Sequence, residues 1–266
     1  MRWKVAVCAC AAAVLVTAAA AARADEPPYE GDPNWALRAL LGYTKTGGNT
    51  DNSAGNYLFH VAHVMEDWKL LFGSEGVYGS TRGETTAQSW DVHGQANYNF
   101  SPKFYWYTGL SYTDDRFSGF AYQEAVKTGG GYQVIQSDAT KLTVQAGVGY
   151  RRLLPEILVK DTLGGVVSRT ELETESDAVF DAGVTFEHSF NQYTKLLAGA
   201  NVDSGKQNTL TTANVALQVK MSNRLALAVG YQLTNNSKPP AGSGPRDTLT
   251  TVSLVYDMKN PKLAPE

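Results

Sequence analysis

The sequence predicts an all-β protein, a transmembrane antiparallel up-and-down β-barrel of about twelve strands, on three observations. Apolar residues recur at every second position, as in Trp35, Leu37, Ala39, Leu41 and Tyr43, or Leu225, Leu227, Val229, Tyr231 and Leu233; a period of two is the repeat of a strand. The connections between such segments alternate in length. Aromatic residues gather at the segment ends. Tight turns on one rim, mostly longer loops on the other and an aromatic girdle at each interface make up the plan of a bacterial outer-membrane barrel.

The chain opens "MRWKVAVCACAAAVLVTAAAAARADEPP". Two basic residues, an apolar stretch and an Ala-Arg-Ala site before Asp25 predict a cleaved signal peptide over residues 1–24. Cys8 and Cys10 fall within it, so the predicted mature chain has neither a disulfide nor a thiolate to offer. The formal net charge of the whole chain is −3, and loss of Arg2, Lys4 and Arg23 with the leader makes the remainder more acidic, which speaks against a nucleic-acid partner. Beyond the leader no apolar run reaches the roughly 18 residues of a membrane helix. A closed barrel satisfies its backbone hydrogen bonds in lipid without one.

Residues 25–33 read as an N-terminal periplasmic segment, 34–258 as the barrel and 259–266 as a C-terminal periplasmic tail. Within the barrel, alternation marks strands at 34–46, 51–64, 68–81, 86–100, 104–115, 120–135, 141–152, 172–189, 193–204, 207–220, 224–235 and 247–258. "MEDW", "NFSPKF", "QSDATK", "SFNQY" and "KMSNR" are the tight connections. The girdle expected to face lipid comprises Trp35, Tyr43, Trp68, Tyr78, Tyr98, Phe104, Trp106, Tyr112, Tyr132, Tyr150, Tyr193 and Tyr231. A soluble β-sandwich also alternates, but it buries its apolar face against a second layer and has loops of similar size at both ends.

The stretch "TKTGGNTDN" is rich in glycine. A phosphate-binding loop leads from a strand into a helix N-terminus and carries G-x-x-x-x-G-K-[ST]. This one runs from strand to strand without that motif, and reads as the first extracellular loop. The longest connection, 153–171, is also the most apolar. It is either a plug folded into the barrel or two long strands projecting above the membrane.

Parity assigns Arg38, His60, Lys69, Glu75, Asp91, His93, Lys127, Arg151, Asp181, Glu187, Lys220 and Asp257 to the lumen wall. Both signs are present, so strong ion selectivity is not expected. If "MEDW" pairs residues summing to about 133 and the next loop pairs residues summing to about 166, Gly73 lies between His60 and His93, and Glu75 lies opposite Asp91. These two histidines are the only metal-ligand candidates, and the ordinary wet, polar lumen of a barrel is the preferred account of them. His63 and His188 read as interfacial residues on the outward face. No serine stands in a motif with a histidine, so the chain reads as a non-enzyme with no catalytic residue, no cofactor and no metal.

Two stretches, "GYTKTGGNTDNSAGN" and "GGGYQVIQSDATKLTVQAGVGYRR", resemble the salt-induced outer-membrane protein family, the YdiY-like barrels of Gram-negative bacteria, and the resemblance extends over essentially all of the mature chain. It implies an outer-membrane location and a barrel, and no settled activity. The sequence-level expectation is thus a monomer with both termini periplasmic. Its partners are outer-membrane lipids, lipopolysaccharide and, during insertion, the barrel-assembly machinery. Its role is that of a small, weakly selective pore or an envelope-stress structural protein, the alternative being a lipid- or lipopolysaccharide-modifying enzyme.

Overall fold

The computed structural model describes residues 34–46, 52–162, 165–241 and 243–258; the leader, the C-terminal tail and most of the first loop lie outside them. Thirteen strands are present among the described residues: β1 (Trp35–Thr46), β2 (Asn52–Met65), β3 (Trp68–Thr81), β4 (Glu84–Asn99), β5 (Phe104–Asp115), β6 (Phe120–Gln136), β7 (Thr140–Lys160), β8 (Val166–Glu171), β9 (Glu175–Ser189), β10 (Thr194–Gly205), β11 (Thr209–Lys220), β12 (Leu225–Asn236) and β13 (Arg246–Met258). Twelve of them form a closed antiparallel barrel in sequence order. Leu37 to Leu41 of β1 pair with Met258 to Leu254 of β13 and seal it. The thirteenth, β8, pairs only with the far end of β7.

Alternation puts the apolar side chains outside. Leu41 is 71% exposed, Leu110 64% and Val148 61%, and a water-facing surface of that kind would be an aggregation site rather than a stable monomer surface. Facing lipid, the same side chains are in their preferred solvent. The girdle aromatics stand on this outer wall: Trp68 packs edge-on against Tyr98, with ring centroids 5.1 Å apart, and Trp35 stacks on His63 at 4.2 Å.

The two rims differ, with qualifications. One carries tight turns throughout. On the other, β3 and β4 are joined by Arg82 and Gly83 alone, with φ of 53° and 83°, the primed two-residue turn that matches strand twist, and β10 and β11 are joined by residues 206–208. The expectation of longer loops therefore holds for only some connections on that rim. The segment 153–171 forms neither a loop nor a plug deep in the barrel. Strand β7 continues past the rim to Lys160 and turns back as β8, a hairpin projecting beyond the wall.

This hairpin does not stand free. Its alternation breaks where Pro155 and Glu156 are buried in succession, after which Glu156 and Leu158 form the buried face. Arg169 donates to the backbone carbonyl of Arg116 at 2.7 Å, Lys160 to that of Phe117 at 3.3 Å, and the Glu156 amide to that of Gly119 at 2.8 Å. The β5–β6 turn thus props the hairpin. The same turn meets the β12–β13 loop from the opposite side of the barrel. Gly119 has φ of 85°, and a methyl added to it would lie 2.6 Å from Ser243 Oγ and 3.1 Å from Pro240. Chain therefore spans the loop-side mouth.

Candidate functional site

The lumen holds a cavity of about 1270 Å³. Its lining begins at the tight-turn rim with Glu66, Asp67, Ser101 and Gln136 and rises to the level of Glu75, Ser111, Lys127 and Asp181. Loopward of that level, on β7 and β9, the inward side chains of Arg151, Leu153, Asp177 and Val179 are all buried. Among the described residues the cavity is a vestibule, open at the tight-turn rim.

Long polar side chains cross this wall on tracks of glycine. Tyr107 of β5, Gly129 of β6, Gly147 of β7, Asp181 of β9 and Asp203 of β10 follow one another in register across five strands. Because neither glycine has a side chain, the Tyr107 ring lies over them, and its hydroxyl donates to Asp181 Oδ2 at 2.7 Å. A Cβ at Gly147 would collide with that hydroxyl and with the Thr128 carbonyl. Lys127 reaches across Gly149 to donate to Asp181 Oδ1 at 3.0 Å and to both oxygens of Asp203, at 2.6 and 2.7 Å. Asn201 adds a bond to Asp203 at 3.2 Å. The result is a bridge of one cation and two carboxylates, largely removed from solvent, in which each charge depends on the others for its solvation. One tier further loopward, Arg151 pairs with Asp177 at 3.4 Å and donates to the Asn208 carbonyl at 2.8 Å.

The same device recurs in the opposite sector. Gly73 stands between His60 and His93, and Glu75 opposite Asp91. The two imidazoles meet over the glycine with ring centroids 5.4 Å apart. His60 lies 3.5 Å from Glu75, and His93 lies 3.3 Å from Asp91. Among the described residues no group of three or more His, Cys, Asp or Glu side chains is arranged to hold a metal ion; the constellation consists of two imidazole–carboxylate pairs.

Of the other residues assigned to the lumen by parity, Arg38, Lys69 and Glu187 line the cavity. Glu187 accepts from Lys195 at 2.6 Å. Arg151 is buried in the packed tier above. Lys220 is exposed near the tight-turn rim, in register with Ala226. Asp257 is in backbone register with Arg38, but its side chain lies outside the described residues. Sequence reasoning omitted Tyr107, Asp177 and Asp203. All three share the inward parity of their neighbours, and Tyr107 was masked by the outward aromatics Phe104 and Trp106 that flank it.

Among the described residues the lipid-facing wall has one hydroxyl–imidazole contact, Thr140 Oγ1 to His188 Nδ1 at 2.8 Å. That ring is flanked by Phe186 and Phe190. Beyond the barrel rim, burial pushes the Glu156 carboxyl up from its ordinary pKa, opposed by Arg169 at 3.2 Å.

Fold and site together define a transmembrane β-barrel with a polar, charge-bridged vestibule. The chain belongs to the family described as a protein of unknown function, DUF481, whose model matches residues 39–258. It is 23% identical to the uncharacterized protein YdiY of Escherichia coli K12 over 87% of this chain and 84% of that one, in keeping with the resemblance of the two motifs. Among solved structures it is similar to the translocator domain of the autotransporter NalP from Neisseria meningitidis (TM-score 0.47, 16% identity, 85% of this chain and 89% of that one). It is also similar to the COG4313 outer membrane channel from Pseudomonas putida F1 (TM-score 0.48, 10% identity, 88% and 100%).

Proposed function

We propose that the protein is a small, weakly charge-selective channel of the Gram-negative outer membrane, a monomer with its tight turns and both termini in the periplasm. The observation that supports this is the cavity of about 1270 Å³ that opens at the tight-turn rim and carries both signs of charge, Arg38 and Lys69 with Glu75, Asp91 and Glu187. A strongly selective pore concentrates one sign at its constriction; this wall alternates them. Flow is limited where the Lys127 bridge narrows the lumen and where the hairpin and loops span the mouth. The girdles meet outer-membrane lipid and lipopolysaccharide, and the assembly machinery acts on the chain during insertion.

The test is conductance of the purified, refolded protein in a planar bilayer. The expected result is small steps with a cation-to-anion permeability ratio near one. A silent bilayer, with insertion verified by heat-modifiable migration on a gel, would overturn the channel and leave an envelope-stress structural role. The rival reading, a lipid-modifying enzyme, rests on the Thr140–His188 contact. It would prevail if incubation with outer-membrane lipids yielded a cleaved or transferred acyl product that Thr140→Val abolished.

A further inference from the structure

The vestibule contains a belt that no charge occupies. Gln133 of β6, Thr143 of β7, Thr185 of β9, Gly199 of β10, Asn214 of β11 and Gln232 of β12 are consecutive register partners. They form one uninterrupted rung over six neighbouring strands, half of the barrel wall, and all six line the cavity. Among the described residues none of the five side chains in this rung has a hydrogen-bond partner. The rung two residues loopward is also uncharged, with Gln145, Gly183, Asn201 and Thr212 in register.

Most of the charges on either side of this belt are held by one another; Lys141, in register with Glu187 one rung turnward, also lines the cavity. Loopward, Lys127 is bound to Asp181 and Asp203; turnward, Lys195 is bound to Glu187. Rungs of one face are about 7 Å apart along a strand, so a solute in the belt meets the neutral groups first. The unused groups are amides and hydroxyls, each able to donate and to accept. Leu40 and Leu58 of β1 and β2 and Leu249 of β13 add apolar surface to the same cavity. A ring bearing hydroxyls on its edge and C–H bonds on its faces complements that combination, whereas an ion would leave the amide and hydroxyl array without a matching charge.

Building on the channel reading, we propose that this belt is a subsite for an uncharged polyhydroxylated solute, a mono- or disaccharide-sized sugar. The test uses the full chain in proteoliposomes and compares efflux of glucose with that of glucuronate, alike in ring size and different in charge. It does so for the native protein and for a variant carrying Thr143→Val, Thr185→Val, Asn214→Leu and Gln232→Met, which removes four of the five polar side chains at nearly constant bore. Glucose is expected to leave faster than glucuronate. In the variant, glucose efflux relative to potassium chloride conductance should fall by about fivefold or more, the worth of an ordinary hydrogen bond or two. Conductance with no preference for glucose in the native protein would overturn the sugar site and leave the channel standing, and this comparison does not depend on the variant folding. An unchanged ratio in a folded variant would overturn it as well. Absence of both efflux and conductance would defeat the channel and the subsite together.

Discussion

Tyr107 donates a 2.7 Å hydrogen bond to Asp181 across two strands whose residues in that line are both glycine. The contact explains a piece of sequence that alternation alone does not. In "GGGYQVIQSDATKLTVQAGVGYRR", the inward positions Gly131, Gly147 and Gly149 lie beneath side chains arriving from elsewhere, Tyr105 and Tyr107 from β5 and Lys127 from β6, while a Cβ at Gly129 would meet the Ala146 backbone. Glycine ordinarily weakens a strand. Here it gives passage to groups that brace five strands.

Tyr107→Phe should therefore lower stability by about 1 to 3 kcal/mol, since a buried carboxylate loses a donor, without preventing assembly. Urea unfolding in detergent micelles measures this; an unchanged midpoint would contradict the bracing role. Gly147→Val should cost at least as much, because its side chain displaces the Tyr107 hydroxyl. Gly94→Ala serves as the control: it faces open space, with only the Leu71 carbonyl 3.9 Å away, and should be neutral or slightly stabilising.

The second prediction separates the two faces of one strand. Val229 is half exposed on the lipid side, where an arginine near mid-membrane costs about 2 to 4 kcal/mol, so Val229→Arg should reduce the heat-modifiable fraction after refolding. Gln232→Arg places the same charge in the cavity and should refold normally. Ala228 shares the inward parity but packs against Ala226 and Val255, so it is not an equivalent control. Equal damage from Val229→Arg and Gln232→Arg would mean that the faces are misassigned.

How much of this was legible in the sequence follows the range of each interaction. Strand positions and faces came through because period two is local, and the turn lengths fixed the β2–β3 and β3–β4 registers that set Gly73 between His60 and His93. The Lys127 bridge was half visible. Parity gave Lys127 and Asp181, but their meeting requires a lysine on β6 to span β7 to reach β9, a separation no local pattern encodes. The loop-side mouth was illegible for the same reason. The contact of Gly119 with Ser243 joins segments half a barrel apart, and the face switch at Pro155 and Glu156 depends on what lies beneath the hairpin.

The third prediction concerns the wall charges. Glu75→Gln with Asp91→Gln leaves His60 and His93 over Gly73 without their carboxylates. In a narrow lumen fixed charges act with little screening, so the permeability ratio should move toward anions while refolding is retained. Reversal potentials under a salt gradient read this directly, and a ratio indistinguishable from the native one would place Glu75 and Asp91 off the conducting path.

The last prediction addresses the cap. Replacing residues 157–170 by a short glycine-containing turn removes Lys160 and Arg169, and with them the bonds to the Phe117 and Arg116 carbonyls. The barrel strands stay paired below Pro155, so the variant should refold and conduct more than the native protein. The native cap should also respond to pH, with a sign set by Glu156. Burial raises its carboxyl above the ordinary value, against the pull of Arg169, so between those two values the docked hairpin binds more proton than the released one. Docking is then strongest below the ordinary carboxylate pKa and weakens as pH rises through the raised one. Conductance should accordingly fall on acidification in the native protein, and Glu156→Gln, which cannot ionise, should flatten that dependence. If the shortened variant conducts no better than the native chain, the constriction lies at the Lys127 bridge instead, and Lys127→Met, which removes the cation from between Asp181 and Asp203, should then shift the channel toward cations.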